Sequence, residues 1–415
     1  MTQLNPYPDY VHSGVEWLAR VPAHWATEPI GKLFTERRTT VSDADFQPLS
    51  VTRAGIVPQL ENVAKTDNGE GRKLVRSGDF AINSRSDRKG SSGISDRDGS
   101  VSVITTVLTP REMDPAYLHH LLRSEPFQEE FYRYGSGIVA DLWSTRWSAM
   151  KGIRLVVPPL VEQRRIAAFL DRETAEIDAF IADQEELIGL LAERRAATKT
   201  RHFEQVVRIE HGGDGSPLNV AISESDVRVG RSERELMSVS IHRGLLPWSE
   251  MHDKEPSSDN FETYKVVEPG DVVLNRMRAF QGAAGVSQQR GMVSPDYAVF
   301  KVSPLCVPEY ISELLRSTPM IEAIKLRLRG IGDGDSGTVR TPRINVRDLV
   351  RIKTDLPDRE GQRRAFETLT NETTELNAAI ADARDAIALS RERRAALISA
   401  AVTGKIDVRE HGAVK

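Results

Sequence analysis

The residues best suited to chemistry in this sequence are arginines set among glycines and serines in two kinds of loop. The first kind covers residues 84–92 and, later in the chain, residues 276–282. Cations among small residues can approach a phosphate backbone closely, and arginine and glutamine can also bind guanine and adenine edges. The candidates for DNA contact in these loops are Arg85, Arg88, Lys89, Ser91, Arg276, Arg278 and Gln281.

The second kind of loop covers residues 132–147 and 327–343, where glycines again alternate with arginines. Its candidates for DNA contact are Arg133, Tyr134, Arg146, Arg327, Arg329, Arg340 and Arg343. We expect Trp143 and Trp147 to pack rather than to stack on bases. The alternative is that both loops are ordinary solvated tips. An asparagine followed closely by arginine occurs in both first loops, at Asn83 and Asn275, and keeps the DNA hypothesis open.

Motifs that would indicate catalysis are missing from the sequence. It contains neither a phosphate-binding G-x-x-x-x-G-K-[ST] loop nor an H-E-x-x-H zinc motif. His119 and His120 could ligate a metal, but the matching later segment has Ser312 and Glu313 there. Residues 114–117 (DPAY) are similar to the Asn/Asp-Pro-Pro-Tyr motif of amino-methyltransferases but lack the second proline, so a helix start explains them better. We expect no catalytic residue, no metal and no cofactor bound by this chain.

The sequence contains an internal repeat of two similar units. Residues 73–95 match residues 265–287, and residues 117–124 match residues 310–317. Two more blocks, EQRR against GQRR and ERRAA against ERRAA, keep the same order at offsets of 199 residues. Colinear matches of this kind indicate two copies of one unit.

Each copy has a globular part followed by a long helix. In the globular parts, residues 79–83, 101–108, 271–275 and 297–302 are apolar or β-branched and predict strands. Pro115 and Pro308 predict short helices. We therefore predict α/β (α+β) globular domains over residues 1–158 and 204–354, spacer helices over 159–203 and 355–403, and a tail over 404–415.

The long helices carry apolar residues at alternating spacings of three and four, as in a coiled coil. The seam of the first helix would contain Ile166, Leu170, Ile177, Phe180, Leu187 and Leu191, with Glu173 and Gln184 between them. The seam of the second would contain Phe366, Leu369, Leu376, Ile380 and Ile387, with Thr373 and Ala383. Antiparallel pairing of the two helices is expected. The alternative is that each seam packs on its own globular part.

Composition places the chain among globular proteins. Its 415 residues are 39% hydrophobic and 28% charged, the formal net charge is −4, and Cys306 is the single cysteine. A disulfide framework is therefore excluded. Without a secretory signal or an apolar run of about 20 residues, a cytoplasmic location is expected.

Several of these segments resemble one known family, the DNA-specificity subunits of type I restriction–modification systems. Residues 13–25 (SGVEWLARVPAHW) look like the family's N-terminal signature, and residues 157–171 (VPPLVEQRRIAAFLD), 174–178 (TAEID) and 187–196 (LIGLLAERRA) resemble its central region. The second copy departs from the pattern: residues 356–364 read LPDREGQRR, with Gly361 where glutamate is usual, and no second Pro-x-His-Trp occurs.

The resemblance implies a non-catalytic subunit in which each globular part is a target recognition domain for one half of a bipartite DNA site. The helices would dock two methyltransferase subunits, with Phe169, Ile181, Ile188 and Leu190 as candidate contacts. S-adenosylmethionine, Mg²⁺ and ATP would belong to those subunits and to restriction (translocase) subunits. The alternatives are a stand-alone nuclease or methyltransferase with an unrecognised site, and a repeat scaffold that binds only protein.

Overall fold

The computed structural model describes residues 5–15, 17–59, 71–85, 89–137, 143–208, 215–228, 234–251, 261–328 and 342–410. The chain divides into two compact units. Unit 1 comprises residues 1–185 and 384–415, and unit 2 comprises residues 186–383. Each unit therefore combines one globular part with half of each long helix, α5 (Leu160–Glu204) and α9 (Arg359–Val402).

The globular part of unit 1 is rich in short strands. Its strands are β1 (Tyr10–Val15), β2 (Leu18–Pro22), β3 (Ala26–Pro29), β4 (Phe34–Glu36), β5 (Thr40–Val41), β6 (Leu49–Thr52), β7 (Gly55–Pro58), β8 (Arg72–Val75), β9 (Phe80–Asn83), β10 (Ser92–Ile94), β11 (Gly99–Val101), β12 (Thr105–Pro110) and β13 (Arg154–Val157). Its helices are α1 (Ile30–Leu33), α2 (Pro115–Leu121), α3 (Glu125–Arg133) and α4 (Trp147–Met150).

The globular part of unit 2 repeats most of this order. Its strands are β14 (Val207–Arg208), β15 (Ser216–Pro217), β16 (Ile222–Ser225), β17 (Met237–Ser240), β18 (Gly244–Pro247), β19 (Lys265–Val267), β20 (Val272–Asn275), β21 (Ala284–Val286), β22 (Gly291–Val293), β23 (Tyr297–Val302) and β24 (Lys353–Thr354). Its helices are α6 (Pro308–Leu315), α7 (Thr318–Lys325) and α8 (Val346–Leu349).

Both units are built around an equivalent four-stranded antiparallel sheet. The strand order is β10-β9-β12-β4 in unit 1 and β21-β20-β23-β16 in unit 2. The registers match as well, because Asn83 lies opposite Thr105 in unit 1 and Asn275 lies opposite Tyr297 in unit 2. The predicted repeat is thus a repeat of pairing register, which lets each residue of one sheet be matched to a residue of the other.

The central strands are buried on both faces. In unit 1, Phe80 and Ile82 lie in the larger core with the helices, whereas Ala81 packs in a smaller core with Val107. Unit 2 alternates in the same way, with Val272 and Leu274 in one core and Val273 in the other. A strand covered on both sides shows a continuous apolar run, which is why residues 79–83 and 271–275 were recognisable as strands.

The predicted single strand over residues 101–108 is wrong. β11 ends at Val101, a turn follows in which the amide of Thr105 donates to the carbonyl of Ser102 at 2.9 Å, and β12 then begins. The two strands belong to different sheets, so the chain must turn between them. β-Branched composition hid the turn, since Val103 at its tip is 60% exposed.

A buried aspartate fixes the turn before each central strand. In unit 1 the guanidinium of Arg37 binds both oxygens of Asp79 at 2.6 and 3.0 Å, and the Thr109 hydroxyl donates to it at 2.8 Å. In unit 2 the matched residue Asp271 is bound by Lys301 at 2.7 Å. Thr109 and Lys301 occupy the same sheet position. The cation that binds the aspartate therefore follows β4 in unit 1, whereas in unit 2 it lies on β23, the strand that matches β12.

A buried glutamine ties each long helix to its globular part. Gln163 Oε1 accepts from the amide of Asp114 at 2.9 Å, and its Nε2 donates to the carbonyl of Pro158 at 2.8 Å. Gln362 repeats both bonds in unit 2, with Val307 and Pro357 at the same two distances. Each amide spans the start of its long helix and the start of a short helix, α2 or α6.

The two long helices run antiparallel and pack together. In unit 1, Arg394 contacts Asp178 and Arg391 contacts Glu185, at 2.9 and 3.0 Å. In α9, Ile380, Ala383 and Ile387 of the predicted seam are buried. Leu369 instead lies in the core of the globular part of unit 2, and Phe366 packs against that core, so this end of the seam follows the alternative. The seam of α5 departs from prediction beyond Ile177.

In the later part of α5, Phe180 and Leu187 are exposed, whereas Ile181, Gln184 and Ile188 are half-buried. Two successive spacings of four, from Glu173 to Ile177 and on to Ile181, shift the seam by one residue. A shift of this type is a stutter in a heptad pattern. It corrects the predicted assignment of Phe180 and Leu187 to the seam.

One region of unit 1 has no match among the described residues of unit 2. The β1–β2 hairpin leads into a segment whose Trp25 donates to Glu162 Oε1 at 3.0 Å, and the Tyr7 hydroxyl donates to the same oxygen at 2.6 Å. His24 Nε2 lies 2.8 Å from Glu162 Oε2. Burial, followed by the bond to Glu162, raises the pKa of Tyr7 well above its ordinary value. Unit 2 has Gly361 in place of Glu162.

Within the described residues, none of the helices combines the length and the apolar character that crossing a membrane would require.

The hydrogen bonds of Gln163 predict that two glutamine substitutions in α5 will differ in their effect on stability. Replacing Gln163 by leucine keeps the size but leaves the partly buried amide N–H of Asp114 and the buried carbonyl of Pro158 without these partners, which costs about 1–3 kcal/mol. Gln184→Leu, on the same helix at a half-buried seam position, is expected not to destabilise the chain. Denaturant unfolding of both variants measures this, and equal effects of the two would contradict the role of Gln163.

Because the cation that binds the buried aspartate comes from different strands in the two units, we predict that a second substitution can restore stability after Arg37 is removed. Arg37→Ser leaves Asp79 buried with its main partner gone, and the free energy of unfolding should fall by about 3–5 kcal/mol. Adding Thr109→Lys recreates the arrangement of unit 2 and should restore more than half of that loss. Arg38→Ser is the control: Arg38 is exposed, and its loss should change stability by less than about 0.5 kcal/mol. A double variant no more stable than Arg37→Ser would sink the idea.

Candidate nucleic-acid interface

In unit 1 the two predicted loops meet. The amide of Thr145 donates to the carbonyl of Ser84 at 2.9 Å, and Ser144 forms isolated β-bridges with both Arg85 and Ser136. The hydroxyl of Ser84 donates to the carbonyl of Ile104 at 2.8 Å. The first loop is therefore held between the second loop and the turn that precedes β12.

A basic groove of about 680 Å³ opens beside these loops. Of the charged side chains that line it among the described residues, five are cationic and one is a carboxylate: Arg38, Lys73, Arg85, Arg146 and Lys151, with Glu36. Polar and apolar groups complete the lining: Ser84, Val103, Ile104, Thr106, Ser144, Trp147 and Ser148. A surface of this composition attracts a phosphate backbone and offers donors to base edges.

The groove contains two of the predicted DNA-contact residues and three that the sequence did not point to. Arg85 and Arg146 are exposed and were predicted. Arg38, Lys73 and Lys151 come from β4's end, from β8 and from the turn after α4, far apart along the chain. Strand pairing brings Arg38 and Lys73 to the loops, whereas Lys151 follows the second loop after the single turn of α4. Lys73 could have been suspected, because Lys265 occupies its place in the repeat.

The recurrent asparagine has a structural role in both loops. Asn83 Oδ1 accepts from the amide of Arg85 at 3.0 Å, and Asn275 Oδ1 accepts from the amide of Met277 at 3.1 Å. Such bonds stabilise a turn that begins with asparagine. The repeat of Asn therefore preserves the loop's shape, and it does not by itself indicate DNA contact.

Unit 2 joins its two loops in the same way. The amide of Ile344 donates to the carbonyl of Arg276 at 3.1 Å, and Arg276 Nε donates back to the carbonyl of Ile344 at 3.3 Å. Burial, and then the positive charge of Arg343, lower the pKa of Arg276. Arg343 Nη2 lies 3.7 Å from Asp296 Oδ1. Arg278 and Gln281 are exposed on the 3₁₀ turn that follows.

Other predicted DNA-contact residues lie elsewhere. Lys89 pairs with Glu129 and lies 5.4 Å from the centre of the Tyr132 ring. Arg133 binds Glu130 through two bonds of 2.7 and 2.8 Å and lies over Tyr134, beside a second cleft. Arg327 donates to the carbonyl of Ala323 in α7.

Ser91 is a correction, because it is only 6% exposed and is not on the surface that could meet DNA. Arg88, Arg329 and Arg340 fall outside the described residues. Trp143 donates to the carbonyl of Tyr132 at 3.0 Å, and Trp147 packs against the core of unit 1 while it also lines the groove.

The candidate partner contacts on α5 differ in exposure. Phe169 is 2% exposed within the core of unit 1, so its assignment to an outer surface is wrong. Ile181 and Ile188 are half-buried, on the corrected seam. Leu190 is 56% exposed and stays available to a partner. Among the described residues, no group of three or more His, Cys, Asp or Glu side chains could hold a metal ion.

Two solved structures are similar to the chain over nearly its whole length. A chain from work on complex assembly and conformational transition of the type I R-M system has a TM-score of 0.63 and 17% identity, and the match covers 93% of this chain and 99% of that one. The HsdS subunit from Thermoanaerobacter tengcongensis has a TM-score of 0.54 and 18% identity, with 93% and 98% covered.

No protein-family model matches the sequence, and a search of the curated proteins found no match either. At identities below one fifth, the likeness to the two structures establishes the fold. The predicted fold class, two α/β domains with long paired helices, is confirmed.

The histidine pair of unit 1 is a buried structural cluster. His120 Nε2 lies 2.7 Å from Asp171 Oδ1, and Arg123 Nη1 lies 2.6 Å from His119 Nε2. Burial and the positive charge of Arg123 lower the pKa of His119 to about 4. Burial also lowers the pKa of His120, although its bond to Asp171 opposes this. Both rings are therefore neutral at pH 7.

This cluster predicts a loss of stability in mild acid. The pKa of His119 is lower in the folded than in the unfolded chain, where it is about 6.5, so the unfolded chain binds more protons between those values. Stability should thus fall by about 1–3 kcal/mol as the pH drops from about 6.5 to 4. His119→Gln should flatten this fall, and His242→Gln, at an exposed site, should not. Equal pH profiles for all three proteins in denaturant unfolding would rule out the effect.

Proposed function

We propose that this chain is the DNA-specificity subunit of a type I restriction–modification complex. The observation that carries the proposal is the joined pair of loops, which recurs in both units. In each unit the joined loops lie at the C-terminal end of a central strand, β9 or β20, and carry arginines. The whole-length likeness in fold to an HsdS subunit supports it. The motifs in residues 13–25 and 157–171 point to the same family.

In this proposal each unit reads one half of a bipartite DNA site. The groove of unit 1 offers Arg85 and Arg146, which can bind phosphates or the O6 and N7 atoms of guanine. Unit 2 offers Arg278, Gln281 and Arg343 at its joined loops. The second loop differs most between the units in length and sequence, as expected of two domains that bind different half-sites.

The long helices would serve as docking sites for two methyltransferase subunits. Exposed apolar residues suit this role, and α5 presents Phe180, Leu187 and Leu190 at 44%, 40% and 56% exposure. We infer that S-adenosylmethionine binds the methyltransferase subunits, and that ATP and Mg²⁺ serve a restriction subunit. In this assignment the present chain supplies recognition and no catalytic group.

Adenine-methylation sequencing of the source strain tests the proposal. Deletion of the gene should abolish methylation at one split motif, two short blocks around a constant gap, and the wild-type gene should restore it. A gene carrying Arg85→Ala and Arg146→Ala should restore methylation at least tenfold less well, since each lost contact costs about 1–3 kcal/mol.

The matched control is Arg97→Ala, because Arg97 is an exposed arginine of unit 1 that pairs with Asp96 outside the groove. It should restore methylation fully. A methylome that does not change on deletion in a strain that expresses the chain would contradict the proposed function. Methylation by the purified chain alone would favour the stand-alone enzyme.

A further inference from the structure

The two units carry different charges at matched positions of the same groove. The registers give the matches: Glu36 lies opposite Leu108 in unit 1, and Glu224 lies opposite Phe300 in unit 2. Two residues further on, Arg38 of unit 1 is therefore matched by Asp226 of unit 2. The charge at this second position, Arg38 or Asp226, therefore differs by two between the units.

The neighbouring lysine shows the consequence of this reversal. Lys265, the match of Lys73, is a buried cation whose Nζ lies 3.4 Å from Glu224 and 3.3 Å from Asp226. Two carboxylates thus face it, and one of them, Asp226, also binds Arg228 at 2.7 Å. In unit 1, Lys73 donates to the carbonyl of Thr105 at 2.6 Å, and Glu36, the one carboxylate among the described residues that line the groove, is already bound by Arg38 at 2.6 Å.

The opposite wall of the groove differs in the same direction. Arg146 and Asn345 are matched because each precedes a short helix, α4 or α8, and five residues later Lys151 is matched by Val350. Ile104, one residue before β12, is matched by Asp296, one residue before β23.

Unit 2 has cations of its own in this region. Arg276, Arg343 and Arg347 stand where unit 1 has Ser84, Ser144 and Ser148. Asp296 lies near Arg343, however, and Arg276 is partly buried against Ile344. At the matched positions, unit 1 thus has five cations and one carboxylate, whereas unit 2 has four cations and three carboxylates.

We propose that DNA binding by this chain is electrostatically asymmetric: the groove of unit 1 supplies most of the salt-dependent affinity, and the matched surface of unit 2 supplies little. The inference rests on the proposed function and deepens it. A cation that neutralises a phosphate releases a counterion, so each such contact steepens the fall of log K with log salt by about 0.9. Cations already paired with carboxylates release few counterions. The slope therefore reports which unit neutralises phosphates.

The test is the salt dependence of affinity of the full chain for a fluorescein-labelled, mixed-sequence duplex of about 40 base pairs. Removing two groove cations of unit 1 that lie outside the printed ion pairs, with Arg146→Ala and Lys151→Ala, should reduce the slope of log K against log salt by about 1.8. Removal of two cations from the matched region of unit 2, with Arg276→Ala and Arg343→Ala, should reduce it by less than about 0.5, because Arg276 is partly buried against Ile344 and Arg343 lies near Asp296. Thermal unfolding confirms that each variant is folded.

A transplant makes the test independent of loss of function. Asp226→Arg with Val350→Lys places the cations of unit 1 at the matched positions of unit 2 and should steepen the slope by about 1.8. If that variant does not fold, Asp226→Asn removes one carboxylate and should steepen the slope in the same direction. Equal losses from the two removal variants, or no change on transplant, would overturn the asymmetry.

The proposed function and the electrostatic asymmetry are contradicted by different results. A wild-type chain that binds the duplex with no dependence on salt, or does not bind it, contradicts the proposed function itself. A wild-type chain that binds with a steep slope, shared equally by the two units, contradicts only the asymmetry.

Discussion

The geometry of both units depends on one buried amide. Gln163 and Gln362 each accept from the backbone at the start of a short helix and donate to the proline carbonyl that precedes a long helix. Both glutamines are 1% exposed, so losing one of these bonds leaves a polar group with poor access to water. The direction in which each long helix leaves its globular part is thereby fixed. Within each unit, the start of the long helix is thereby held in a defined position relative to the sheet and its loops.

Much of the fold could be predicted because the sequence repeats. The central strands, the proline-initiated helices and the later part of the α9 seam were recognisable, since each carries a local pattern that its burial requires. The strand over residues 101–108 and the seam beyond Ile177 were predicted wrongly, because β-branched composition does not show a change of sheet and a heptad template does not show a stutter. Local patterns do not contain that information.

The site was only partly predictable for a different reason. Loop arginines stand out by composition, whereas Arg38, Lys73 and Lys151 look ordinary until the fold places them in one groove. The recurrent asparagine shows the opposite error, in which a conspicuous residue stabilises the backbone. Two departures of the second copy, the missing Pro-x-His-Trp segment and Gly361, are in fact one difference. Glu162 needs Trp25 and Tyr7 as donors, and a unit without them has no use for the carboxylate.

The residues that hold the frame are distinct from those that line the groove. Asp79, Asn83 and Gln163 are buried and bound to backbone or to paired charges, whereas Arg85, Arg146 and Lys151 are exposed side chains that the fold does not need. Exchanging exposed side chains typically changes stability by less than about 0.5 kcal/mol. New surface chemistry can therefore accumulate by single substitutions while the scaffold stays folded. The two halves of a duplicated chain are free to diverge independently, and the opposite charges at Arg38 and Asp226 are a record of that divergence.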